Sequence, residues 1–278
     1  MTDQPQVDQT KPSIARVYDY LLGGKDNYAA DREIGDFFIK DLPGSVDIAY
    51  ANRNCLVRAV GEMAADGVYQ FIDMGSGLPT VDNVHQVAQR HNANAHVVYV
   101  DNDPIVLAHG RALLETDDRT TVIHADMREA AAIRQHPDVQ RLIDFDQPVA
   151  IIFSAILHHL NEDEKPSEVV RFWTEQIPSG SPVYISHFRS GSTEETQAAE
   201  AKLQTTFGRG RWRTDDEILA LFGDLEIQDP GLVPCSEWRP AAQQDDEDED
   251  EGITRIGSAT HELTVWEQLI AAALARKP

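Results

Sequence analysis

Two carboxylates stand out by position. Asp73 closes the apolar stretch Phe71-Ile72 and is followed by the turn Gly75-Ser76-Gly77, while Asp101 closes a second apolar stretch, Val97 to Val100. The spacing between them fits a strand, a turn, a helix and a second strand. Parallel strands joined in that way present their carboxyl ends at one sheet edge, where open α/β folds bind nucleosides. A carboxylate at that edge can accept hydrogen bonds from both ribose hydroxyls. Glycines let the backbone come close to a ligand. The chemistry predicted is the holding of a nucleoside cofactor.

The glycine run narrows the choice. A dinucleotide fingerprint needs a third glycine, but here Thr80 takes that place and Pro79 sits where a pyrophosphate would meet the helix start. That speaks against a nicotinamide or flavin site. No Gly-Lys-Ser/Thr phosphate loop is present, so nucleotide hydrolysis is not expected. What remains is Asp-x-Gly-x-Gly, an acid ending the second strand, His124-Ala125-Asp126 after the third, and Ser154 ending the fourth.

This order resembles the class I S-adenosylmethionine-dependent methyltransferases. The resemblance implies a role for each part. Asp73 and the Gly75-Ser76-Gly77 turn would make room for the amino-acid end of the cofactor. Asp101 would hold the ribose, with Asn102 beside the adenine or only in the turn. Asp126 would accept from the adenine amino group with Met127 against the ring. Ser154 to His158 would line the pocket near the methyl donor. Read without the resemblance, Asp73 could simply cap the glycine turn and Asp126 a helix.

The segments ARVYDYLLGGKDNYAAD (Ala15–Asp31), AYANRNCLVRAV (Ala49–Val60), FIDMGSGLPT and VVYVDNDPIVLAH together resemble a family of actinobacterial methyltransferase-like proteins, long catalogued as a domain of unknown function. The likeness runs from Pro12 to the C-terminus and departs at the acidic run and the segment to about Val265. It implies the class I fold, a helical N-terminal cap and S-adenosylmethionine as cofactor, with no settled substrate. Within the cap, Lys25, Asn27 and Arg53 could meet the cofactor's carboxylate, Arg53 by a bidentate grip; otherwise they are surface or helix-end groups. Tyr18 and Tyr28 fit the pocket or the core equally.

Catalytic candidates follow the fourth strand. His158 or His159 could act as general base for an oxygen or nitrogen nucleophile, and His187, ending the fifth strand, is a further candidate. No His/Asp/Glu spacing makes a metal site, and no Gly-x-Ser-x-Gly elbow is present.

The elements that must position these groups read as a helical start followed by α/β alternation. Helical patterns begin at Ser13, at Asp31 and at Val46, separated by Gly23-Gly24 and Pro43-Gly44. Strands are predicted over 70–73, 96–100, 121–124, 149–154, 183–187, 225–229 and 269–275. Helices are predicted near 81–90, 104–115, 129–136, 163–176, 192–206 and 214–222. Alternation of this kind gives an α/β fold with a mostly parallel, seven-stranded Rossmann-like sheet, helices on both faces and an N-terminal helical cap. The expected organisation is a disordered tail over 1–12, the cap over 13–66, and the cofactor-binding domain over 67–278. An acidic loop at 241–252 would lie between the last two strands.

Totals set the outer bounds. The chain has 278 residues, 41% of them hydrophobic, and a net charge of −23. It can bury a sizeable core, while its charge repels nucleic acid and anionic membranes. Part of that charge is the unbroken run Asp245 to Glu251. No apolar run is long enough to span a membrane, and the polar N-terminus is not a secretory signal. Cys55 and Cys235 cannot build a disulfide framework, so packing thiols and a cytoplasmic location are expected. The oligomeric state stays open, a homodimer included. The reading that results is methyl transfer to a small molecule. Its rivals are a non-catalytic holder of S-adenosylmethionine or S-adenosylhomocysteine and an NAD-dependent oxidoreductase.

Overall fold

Five strands read as near-continuous apolar runs because both of their faces are covered. They are β1 (Gln70–Met74), β2 (His96–Asp101), β3 (Thr120–His124), β4 (Ala150–Ser154) and β5 (Pro182–Phe188). A computed structural model of the protein describes residues 8–42, 44–115, 117–240 and 263–278. Three more strands complete the sheet: β6 (Glu226–Ile227), β7 (Val233–Pro234) and the long β8 (Ile270–Arg276). The order is β3-β2-β1-β4-β5-β8-β6, with β7 also on β8. Strands β1 to β5 are parallel, and β8 runs antiparallel to β5, β6 and β7. The strand order reverses between β1 and β4, so a crevice opens at their carboxyl ends.

Three helices precede the sheet: α1 (Ile14–Leu21), α2 (Ala29–Asp41) and α3 (Ser45–Ala65). The buried positions of α3 include Ile48, Asn52, Cys55, Leu56, Ala59, Val60 and Met63, a helical stripe. That stripe joins one core layer with α4 (Val84–His91) and sheet residues such as Phe71, Val97 and Leu274. Thus α3 is part of the sheet's own core, while α1 and α2 stand over the edge. Helices α5 (Pro104–Leu113), α6 (Ala130–Arg134), α7 (Pro137–Leu142) and α8 (Pro166–Gln176) complete the alternation, followed by α9 (Glu194–Phe207) and α10 (Asp215–Ala220). The opposite core layer gathers Ile72, Val98, Ile133, Phe153, Trp173 and Phe222.

Several boundaries differ from those predicted. Among the described residues the sheet has eight strands, not seven: Val233-Pro234 is too short to show a period, yet its pairing adds β7 beside β8. The acidic run therefore falls between β7 and β8; the run itself, like residues 1–7 of the expected tail and Pro43, lies outside the described residues. Residues 8–12 are tied in part, because Arg16 Nη2 donates to the Lys11 carbonyl at 2.5 Å. The helix expected from 81 starts at Val84. Asp82 takes a φ of +58°, and Asn83 and Gln86 form a capping box behind it. The single helix near 129–136 is two, α6 and α7, divided at His136-Pro137. Both cysteines are buried and unbridged, their thiols in contact.

Candidate functional site

A cavity of about 620 Å³ opens where the cap meets the carboxyl ends of β1, β2 and β4. Asp73, Gly75, Ser76 and Gly77 line it from the first turn, and Asp101 and Asn102 from the second. Asp126, Met127, Ser154, His158 and His159 line it from the third and fourth. From α1 and α2 come Tyr18 and Phe38, and from α3 come Asn52 and Arg53. Lys25 and Asn27 lie elsewhere. Lys25 is exposed, and Asn27 Nδ2 donates to Asp19 Oδ2 at 2.9 Å and to the Gly24 carbonyl at 3.0 Å. The buried Asp19 draws that loop together, so Asn27 shapes the cap instead of facing the cavity.

The two acids that opened the argument differ in their surroundings. Asp101 accepts from the Gly77 N–H and the Asp103 N–H, both at 2.9 Å. It thereby fixes the glycine turn to the end of β2; burial nevertheless pushes its carboxyl above the usual range, those N–H groups working against the shift. Asp73 is 3% exposed and has no hydrogen-bond partner among the described residues. Burial pushes its pKa up to about 7, the Arg53 guanidinium pulling it down and the Asp101 charge adding to the rise. A buried carboxylate without a partner is costly, and a cationic ligand group would relieve it.

The two glycines serve different ends. A Cβ on Gly75 would lie 2.3 Å from Ile156 Cγ1, so Gly75 makes room for the protein's own fourth turn. Gly77, with φ +67°, has nothing within 4 Å of that direction. Its open side faces the cavity. Arg53 Nη2 donates to the carbonyls of Val81 and Asp82 at 3.1 and 2.7 Å, while its Nε is buried without a partner. The Ser76 hydroxyl is also buried and unpaired. Asp126 is engaged by Arg128, whose Nε lies 2.9 and 3.0 Å from its two oxygens, and that pairing holds its carboxyl below the usual range.

Beneath the cavity runs a network that the strand and turn motifs do not reveal. Asn52 on α3 donates to Tyr18 Oη at 3.0 Å and to Ser154 Oγ at 3.3 Å. Its Oδ1 accepts from Ser186 Oγ at 2.6 Å, and that same hydroxyl accepts from the Ala155 N–H at 2.8 Å. The network pins α1 and α3 to β4 and β5 and holds Ala155 at a φ of +50°. One signal in the sequence points to it: Asn52 is a polar residue within the apolar stripe of α3.

The three histidines separate cleanly. His187 Nδ1 is 2.7 Å from the Phe188 carbonyl, and its Nε2 is 3.0 Å from Arg213 Nη1. The guanidinium can only donate, so His187 is neutral with its proton on Nδ1. Burial pushes its pKa down to about 3. It lies outside the cavity lining and anchors the buried Arg213. His158 and His159 do line the cavity. Burial holds His159 down to about 4 and His158 well below its usual value.

These polar groups fit S-adenosylmethionine. They offer a carboxylate pair for ribose and ammonium, an unpaired guanidinium N–H for the carboxylate, and an open glycine turn. Across its full length, residues 1–278, the chain matches the family model described as S-adenosyl methyltransferase. This protein belongs to the S-adenosyl methyltransferase family. The methyltransferase is similar to a candidate methyltransferase from Thermobifida fusca YX, at 42% identity and TM-score 0.88, covering 100% of this chain and 99% of that one. It is also similar to a DUF574 family protein from Streptomyces avermitilis MA-4680, at 34% identity and TM-score 0.86, covering 98% of this chain and 100% of that one. Among curated proteins no match is found. The expected actinobacterial resemblance, the class I fold and S-adenosylmethionine as cofactor are thereby shown. The nicotinamide and non-catalytic readings gain no support. Among the described residues no helix is long and apolar enough to cross a membrane.

Proposed function

We propose that this methyltransferase methylates a small molecule held inside the cavity beneath α1 and α2. The observation that carries the reading is that one continuous cavity is lined both by the cofactor-side turns and by the cap's own apolar residues. Its volume suits a drug-sized ligand. The net charge of −23 disfavours a nucleic-acid substrate.

S-adenosylmethionine, when bound, supplies a methyl group on a positively charged sulfur. The protein's residues divide the remaining work. Asp101 holds the ribose hydroxyls, and Asp126 with Met127 takes the adenine, Asn102 beside them. Asp73 meets the ammonium group, Arg53 Nε the carboxylate, and the Gly75-Ser76-Gly77 turn leaves room for the chain between. Ser154, held by Asn52, borders the transfer site. The cap excludes water and aligns the acceptor, which is most of what such a displacement needs.

The test is calorimetric titration with S-adenosylmethionine, S-adenosylhomocysteine and NADH, repeated on Asp101→Ala with a thermal melt as folding control. Wild-type protein binds the first two and not NADH; the variant binds them at least about tenfold more weakly, as loss of hydrogen bonds to a charged group implies. Equal binding by the folded variant would remove Asp101 from the site. No binding by the wild type would remove the cofactor assignment of this cavity.

A further inference from the structure

The cavity has a second arm, bounded by α2, α9 and the end of β5, that no cofactor role absorbs. Phe38, Phe188, Leu203, Phe207 and Trp212 line it and belong to one apolar cluster. Phe188 and Trp212 are stacked, with centroids 4.8 Å apart and planes 17° apart, and Phe38 lies 6.4 Å from Phe207. The charged side chains bordering this arm are committed elsewhere. Glu200 Oε1 accepts the Trp212 N–H at 2.8 Å, Arg16 pairs with Asp31 at 2.9 Å, and Arg209 pairs with Glu164.

Two cavity imidazoles, His158 and His159, have no side-chain hydrogen bond among the described residues, and His158 is the one packed against Phe188 of this arm. His158 is 5% exposed, and neither ring nitrogen has a hydrogen bond among the described residues; Nδ1 is fully enclosed. Its ring packs 4.8 Å from Phe188, 4.2 Å from His159 and 5.5 Å from His187. The groups facing it are those two imidazoles and the Arg213 guanidinium, all of which disfavour a proton on it. A neutral imidazole has one nitrogen that must accept, and here the protein provides no donor.

We infer that the methyl acceptor is an uncharged aromatic molecule bearing a hydroxyl group, its ring seated among Phe38, Phe188, Phe207 and Trp212 and its O–H donated to His158. This rests on the methyl-transfer reading above. The oxygen forms a bond to the methyl carbon as the carbon–sulfur bond breaks, and that electron pair goes to sulfur. The hydroxyl proton passes to His158 only as the oxygen–carbon bond forms and makes that oxygen strongly acidic, and the surroundings that keep His158 neutral at rest make it give the proton up to solvent afterwards.

Three probes test this by binding alone: 2-naphthol, naphthalene and 2-naphthalenesulfonate, each titrated into protein loaded with S-adenosylhomocysteine. Wild type binds 2-naphthol about fivefold more tightly than naphthalene, the worth of one hydrogen bond, and does not bind the sulfonate. His158→Leu erases that preference without weakening naphthalene, and His158→Gln, which keeps an acceptor, restores part of it. Phe207→Ala weakens both neutral probes. Equal wild-type affinity for naphthol and naphthalene overturns the inference, as does a preference that survives in folded His158→Leu or tight binding of the sulfonate. A titration with S-adenosylhomocysteine alone separates the two layers. If it fails, the cofactor reading fails; if it succeeds and naphthol does not bind, only the acceptor assignment falls.

Discussion

With Asp73 against the cofactor's ammonium group, as proposed, binding should depend on pH. Asp73 has its pKa raised from 3.8 to about 7, chiefly by burial, so free protein near pH 6 carries it mostly neutral. A cationic ammonium group favours the carboxylate, so binding expels its proton. Between pH 5.5 and 7 the ionised fraction rises about fifteenfold, and affinity for S-adenosylmethionine rises with it. That window lies below the titration of an α-ammonium group at about 7.7–8.0. His159, at about 4, does not change charge within it. Calorimetry in buffers of differing ionisation enthalpy should show close to one proton released per cofactor at pH 6. Asp73→Asn should flatten the profile and abolish the release. Stability has the opposite sign. The neutral form's advantage is fully present below 3.8 and is lost as the pH rises to about 7. The free protein therefore melts lower at pH 7.5 than at pH 5.5: of a full penalty of about 4 kcal/mol at 1.36 kcal/mol per pKa unit, about 2 kcal/mol accrues across that interval. Asp73→Asn should raise the melting temperature at pH 7.5 while weakening the cofactor. A flat wild-type affinity from pH 5.5 to 7 with no proton release would refute the assignment of Asp73 to a cationic group.

The remaining predictions concern the same turn. Gly75→Ala drives a Cβ toward Ile156 at 2.3 Å and also sits at a φ of +69°, so it should lower stability by about 2–4 kcal/mol in a denaturant titration, whatever the ligand. Gly77→Ala meets nothing within 4 Å and should cost only about 1 kcal/mol of stability, at its positive φ, yet weaken S-adenosylhomocysteine markedly by calorimetry. Equal losses of stability in the two variants would contradict this division. Arg53→Met removes the charge that holds Asp73 down, so the affinity profile should move to higher pH. An unmoved midpoint would show that Arg53 does not act on Asp73.

Local pattern carried far in this chain. An apolar run ending in an acid and followed by glycines can be read because strand, turn and helix start are each short-range. Asp73, Gly77 and Asp101 consequently border one cavity, as their spacing implied, and Asp126 and Ser154 border it too, as the family resemblance implied. The same holds for the parallel order of β1 to β5, which alternation with helices nearly dictates.

Tertiary structure decided whatever depends on residues far apart in the chain. Lys25 and Asn27 looked equal to Arg53 as cofactor ligands, but Asp19 holds Asn27 in the loop, while α3 carries Arg53 to the 81–82 turn. His158 and His187 looked alike at two strand ends. Arg213, which follows His187 only after α9, claims His187 and leaves His158 unpaired. The pairing of Asn52 with Ser186 and the meeting of α2 with α9 around the aromatic arm are also contacts of long sequence separation. Periodicity reports which face of an element is buried; it does not report what that face is buried against. The residues that could hold a cofactor were therefore fixed by local sequence, and the surroundings that set their protonation and select the acceptor by the packing of the whole chain.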